Sequence, residues 1–149
     1  MKTIKMLFEH LNWSNQQVLT VLETNGGVNQ QSVRLFSHIL FAEHIWFTRI
    51  KGIDSSSMPI WDDVSLKDCL YLWNQNQNHY SEFLSQISDD DLGQIVIYKN
   101  SKGKEFRNTL REILTHVALH GQYHRGQINL KIRDAGFEPV PIDFIFFRR

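Results

Sequence analysis

Three histidines, His116, His120 and His124, stand at four-residue intervals in the stretch LREILTHVALHGQYHRGQI, Leu110 to Ile128. On a helix such residues line one side, and His120 and His124 project within about 40° of each other. Ile113 and Val117 share nearly the same direction, so the two imidazoles fall within an apolar stripe. Two protonated rings there would repel. A metal ion binds both in their neutral form and removes the conflict. Such a pair supplies two ligands, and a third must come from another element.

The second helix supplies it. Apolar residues cover most of the segment that begins between Asn29 and Ser32 and runs to Lys51, with Gly52 as its stop. This pattern predicts a helix well inside a bundle. His38 shares its direction with Leu35, Ala42 and Ile45, whereas His44 is turned away by about 120°, beside Glu43. His38, His120 and His124 therefore form the candidate metal site. Three protein ligands leave a position open for water or substrate, the pattern of a catalytic centre. Neutral imidazoles suit Zn, Ni, Cu or Fe, so the ligands do not select the metal. Hydrogen-bonded core histidines are the plainer alternative, and spacing alone does not separate the two. His116 flanks the pair, and its role as ligand, supporting residue or packing residue stays open.

Other elements must carry these residues. Ile4, Leu7, Phe8, Leu11, Val18 and Leu22 repeat at helical period from Thr3 to about Thr24, ahead of Gly26-Gly27. His10 lies off that stripe and reads as surface or boundary. Asn12, Trp13 and Asn15 interrupt it at positions able to sit near a pocket, with packing as the expected role. Ile53 to Val64 reads as an irregular connection able to cover a site, with Trp61 as its anchor. Ser65 to Asp68 resembles a capping box opening a third helix to about Ile87. That helix is expected to bury Leu66, Cys69, Leu70, Trp73, Tyr80, Leu84 and Ile87. Its polar run, NQNQNH, reads as a solvated face, and His79 stays outside the metal proposal. The β-branched run Gln94 to Tyr98, a turn ending at Gly103 and a return strand over Lys104 to Phe106 predict a small hairpin. Thr109 to Glu112 is a capping box for the histidine helix, which ends at Asp134 or Ala135 before Gly136. The apolar tail from Phe137 is expected to pack across the bundle or on a second subunit. The expected fold is all-α: a four-helix bundle with a small β-hairpin before the last helix, in a single domain spanning 1–149.

Composition narrows the function. The chain has 149 residues, 42% of them hydrophobic, and its 16 basic and 16 acidic residues cancel. Nucleic-acid binders show a basic excess that is absent here. No apolar run approaches the ~20 residues of a membrane span, and the opening residues lack the pattern of a secretory signal. Cys69 is the single cysteine, so no intrachain disulfide forms, which fits a reducing, cytoplasmic setting. It reads as a packed core thiol.

The stretch TLREILTHV followed by HGQYHRGQI closely resembles the signature of the DinB/YfiT-like family, described as metal-dependent enzymes. LFSHILFAEHIWFTRI resembles that family's second-helix motif, a His followed five residues later by Glu and then an aromatic. GFEPVPIDFIFF is similar to its C-terminal segment. The resemblance covers essentially the whole chain, and HRGQI is its most specific part. It implies an up-down-down-up four-helix bundle, often a homodimer, with a divalent metal (Zn, Ni, Fe or Mn) on His38, His120 and His124. It also implies a low-molecular-weight thiol cosubstrate, since relatives include thiol-dependent S-transferases and a thiol-dependent isomerase acting on small molecules. Arg125, Gln127 and Tyr123 lie within the motif. Arg125 has the chemistry to bind a carboxylate, of a substrate or of Glu43, but helix-to-helix hydrogen bonds are expected of Arg125 and Gln127, and packing of Tyr123. A hydrolase with the same ligands and a non-catalytic metal-binding stress protein are the rival readings.

Overall fold

Capping chemistry sets the helix boundaries. In the computed structural model, which describes residues 1–149, helix α1 spans Lys2–Thr24, α2 Gln30–Ile50, α3 Leu66–Gln86 and α4 Leu110–Asp134. The Asn29 side chain caps α2, and full capping boxes open α3 (Ser65 with Asp68) and α4 (Thr109 with Glu112). After α2 and α4 the chain turns at Gly52 and Gly136, whose φ values of 72° and 84° suit glycine.

Helix directions follow from which ends meet. Ile4, Phe8 and Leu11 at the start of α1 share a core cluster with Leu110, Leu114 and Val117 at the start of α4. Val18 and Leu22 near the end of α1 cluster with Ile128 and Ile132 near the end of α4, so these helices run parallel. On α3, Asn76 and Tyr80 bond to Leu40 and Glu43 of α2 in the same order, which makes that pair parallel too. His38 faces His124 while Trp46 faces His116, so α2 and α4 are antiparallel. The order is up-down-down-up. Helices α1 and α2 each pack on α3 and α4, which leaves the α1–α3 seam and the α2–α4 seam on opposite sides of the bundle.

A 3-10 turn at Asp90–Gly93, unforeseen in the sequence, follows α3 and buries Leu92 completely. Strands β1 (Ile95–Lys99) and β2 (Glu105–Thr109) then pair antiparallel, Ile95 opposite Thr109 and Lys99 opposite Glu105. The return strand is longer than its apolar content suggests, because Thr109 ends β2 and caps α4 at once. The tail packs across the bundle. Asn129 exchanges two 2.8 Å hydrogen bonds with the backbone of Val140, and a short helix α5 (Phe144–Phe147) follows.

Three burial expectations need correction. His10 is buried: its Nε2 donates to the Ile142 carbonyl at 2.8 Å, and Phe144 and Phe147 pack on its ring. It is the pin that holds the tail, and a partner 132 residues away leaves no local signal. Leu70 is exposed, because the inward line of α3 runs through Cys69, Asn76, Tyr80 and Leu84. Asn76 is correspondingly buried, not solvated with the rest of its polar run.

Candidate metal centre

On the α2–α4 seam, His38, His120 and His124 converge until one ring nitrogen from each lies within 4.8 Å of the others. Bonds of 2.0–2.1 Å to a tetrahedral ion would separate ligand atoms by about 3.4 Å, so modest ring rotations would close the triangle. His38 is buried, and His120 and His124 are partly exposed, so one side of the group faces outward.

Two rings are already oriented. His38 Nδ1 donates to the carbonyl of Ile60 at 2.9 Å, and His124 Nδ1 donates to Gln127 Oε1 at 2.7 Å. Each bond fixes the tautomer that leaves Nε2 as the free ligand atom, the arrangement typical of metal-binding histidines. The His120 pKa is pushed down to about 3 by burial and then by His124 and His38, and burial also lowers that of His38. Both imidazoles are therefore neutral at pH 7, the form that binds metal.

The Ile53 to Val64 connection covers this side, as its length suggested. The Trp61 indole stacks on His38 at 3.7 Å with the planes 1° apart, and it remains 45% exposed. Four side-chain bonds seat the loop on α2: His38 to Ile60, Ser37 Oγ to the Asp62 carbonyl, Arg34 to Asp63 at 2.7 Å and Arg49 Nε to Ser55 Oγ at 3.0 Å. Trp61 thus forms a wall of the site. His116 stands outside the converging group, between Trp46 at 5.1 Å and His120 at 5.5 Å, ring centre to ring centre. His44 and His79 face each other across the α2–α3 seam and take no part. Tyr123 is 66% exposed, and its packing is confined to an edge-on contact with the His124 ring at 5.0 Å.

Behind the histidines lies a second polar group that the sequence disclosed only in part. Glu43 accepts from Asn15 Nδ2 at 2.8 Å and from Asn76 Nδ2 at 3.2 Å. Arg125, fully buried, donates to Asn15 Oδ1 at 2.8 Å and to Gln122 Oε1 at 3.1 Å. All four long helices are tied at one level, and Arg125 meets Glu43 only through Asn15. Gly121 makes room for this, since a Cβ there would sit 2.8 Å from Arg125 Nη1. Burial raises the Glu43 pKa to about 7, with the asparagine bonds and Arg125 pulling it back. Asn15 is singled out in the sequence but expected to pack, and Asn76 is expected to be solvated, so neither is read there as a partner of Glu43. Their signal was positional: each is an amide where the helical period requires an inward residue.

The fold and site describe a helical bundle carrying a three-histidine group able to hold a metal ion. The DinB family model matches residues 1–149, and the chain belongs to that family. It is 27% identical to Protein DinB of Bacillus subtilis, over 93% of this chain and 89% of that protein. It is 28% identical to the uncharacterized protein YizA of the same organism, over 89% of this chain and 83% of YizA. No helix is long and apolar enough to cross a membrane.

Proposed function

We propose that the chain is a divalent-metal-dependent enzyme, with His38, His120 and His124 as ligands, that transfers a low-molecular-weight thiol to a small electrophile. The convergence of three imidazoles, two with Nδ1 already bonded, carries this reading. A bound divalent ion would supply Lewis acidity toward a thiol or a water. The protein's own groups do the rest. Ile60 and Gln127 hold two rings in their ligating tautomer, and Trp61 walls the outward side. No carboxylate joins the histidine group. A hydrolase with these ligands would use water activated by the same ion, so the two readings share one site and differ in whether added thiol enters the product.

The reading includes a cytoplasmic setting and a homodimer, and excludes nucleic acid and membrane as partners. Cys69 is buried and its pKa is raised to about 12 by that burial, so the thiol used in the reaction comes from outside the chain. Leu119, Tyr123 and Leu130, each more than half exposed, form one stripe along α4 suited to a second copy.

The test begins with metal content of untagged protein by ICP mass spectrometry, beside His38→Ala, His120→Ala and His124→Ala. About one metal per chain in the parent, lost in each folded variant, is the expected result. A parent that stays empty after incubation with Zn, Ni, Mn and Fe(II) overturns the reading. Product analysis with and without added thiol then separates transferase from hydrolase.

A further inference from the structure

On the opposite side of the bundle, the α1–α3 seam opens into a cavity of about 280 Å³. Its walls are Phe8, Leu11, Trp73, Tyr80 and Leu84, and Glu43 lies at its inner end. None of the three clustered histidines lines it. The volume is at the lower end for small-molecule sites, and the mix of aromatic walls with few polar groups is their usual make-up.

The carboxylate decides the chemistry. Glu43 is 2% exposed, yet no lysine, arginine or histidine forms an ion pair with it. Each of its oxygens accepts one asparagine N–H, whereas a carboxylate has room for about four such bonds. Spare acceptor capacity thus remains on a buried carboxyl group, partly ionised near neutral pH, beside an aromatic-walled cavity. An anionic guest would meet that carboxylate with no net counter-charge lining the cavity, because Lys5 and Glu9 there offset each other and Arg125, whose charge acts on Glu43, does not line it. A neutral apolar guest would leave the capacity unused. A cation is favoured twice, by the carboxylate and by the aromatic lining of Trp73, Tyr80 and Phe8. The walls are also held in place: Trp73 Nε1 donates to Asn12 Oδ1 at 2.8 Å, and the Tyr80 hydroxyl donates to the Glu43 carbonyl at 2.8 Å.

We propose that the α1–α3 cavity is a second small-molecule site, separate from the histidine group, that binds a protonated primary amine carried on an apolar body. The ammonium donates to Glu43, and the apolar body lies between Trp73 and Phe8. This site does not rest on metal binding.

Three probes of one shape test it: 2-phenylethylamine, 2-phenylethanol and phenylacetate. Binding is read from amide and indole shifts in ¹H–¹⁵N spectra, with and without chelator. The amine is expected to shift the Trp73 indole and the α1 and α3 amides saturably, and to bind at least about tenfold more tightly than the alcohol, roughly 1.4 kcal/mol. Phenylacetate is expected to produce no shifts there. Glu43→Gln is expected to erase the preference for amine over alcohol. Ser81→Phe, which fills the cavity from an exposed position on α3, is expected to abolish binding while the fold persists. Equal affinity for amine and alcohol in the parent protein overturns the proposal, as does binding that survives Ser81→Phe. Shifts confined to the α2–α4 side would do the same. The probe comparison stands even if Glu43→Gln does not fold.

Discussion

His38 and Glu43 lie five residues apart on α2, and His124 and Arg125 are neighbours on α4, yet the two pairs meet different fates. The histidines turn toward a partly exposed seam, where no carboxylate or cation joins them. Glu43 and Arg125 turn inward, where Asn15 and Asn76 donate to Glu43 while Asn15 and Gln122 accept from Arg125. About 140° of helical rotation separates His38 from Glu43. One group ties all four long helices through the protein's own side chains, although Arg125 Nε, Asn76 Oδ1 and part of the Glu43 carboxylate keep no partner. The other brings three ring nitrogens toward one another, two of the rings held by Nδ1 bonds. Polarity and burial alone do not separate a site from a strut. What separates them is whether the polar atoms cross-link helices or converge on one point.

The largest expected effect lies on the inner, cross-linking side. Arg125→Ala would leave Glu43 without its compensating charge and open a cavity, so a loss of about 3–5 kcal/mol is expected in urea unfolding. A loss below about 1 kcal/mol would mean that the layer is not structural. His120→Ala in chelator is expected to cost far less, since that ring is partly exposed. The contrast then reverses with metal. Zn at a hundredfold excess over its dissociation constant should stabilise the parent by about 2.7 kcal/mol and His120→Ala not at all. Equal stabilisation of both would remove His120 from the ligand set.

A finer test asks whether the histidine group is supported as a metal site should be. Gln127→Ala removes the acceptor for His124 Nδ1 and frees the ring to turn. Metal affinity should fall about 10–100-fold with little change in metal-free stability. Competition against a chromogenic chelator measures the first quantity and urea unfolding the second. A stability loss as large as that of Arg125→Ala would move Gln127 to the structural side.

The same contrast explains what the sequence discloses. His38, His120 and His124 are legible because one helix sets a four-residue spacing and a second apolar helix can point only one histidine inward. Capping residues and glycines give the helix ends for the same reason: their physics is local. His10 and Asn76 are not legible as buried, since the partner of one is Ile142 and those of the other lie on α2. The role of Arg125 is half legible. A carboxylate partner is expected from its chemistry, but that the pair would be bridged by Asn15 depends on how α1 seats against α4. Polar residues whose partners are distant in sequence carry no pattern of their own.

The two groups should also respond to pH with opposite sign, in metal-free protein held in chelator. His120 has a folded pKa of about 3 against an ordinary 6.5, so between those values the unfolded chain binds more protons. Its contribution is therefore intact above pH 6.5 and is lost as the pH falls toward 3. His38, His44 and His10, also lowered by burial, act in the same direction. Glu43 is raised to about 7 from 4.5, so the folded chain binds more protons in that window. Its contribution is greatest below 4.5 and is lost as the pH rises through 7. Urea midpoints across pH 3–8 for the parent, His120→Asn and Glu43→Gln separate the two trends. His120→Asn should flatten the loss on the acid side, and Glu43→Gln should remove the decline between 4.5 and 7. The histidine effect is the smaller, because water reaches part of that ring and screens its neighbours' charges. If both substitutions flattened the same limb, the two groups would be one coupled network, and the division between strut and site would fail.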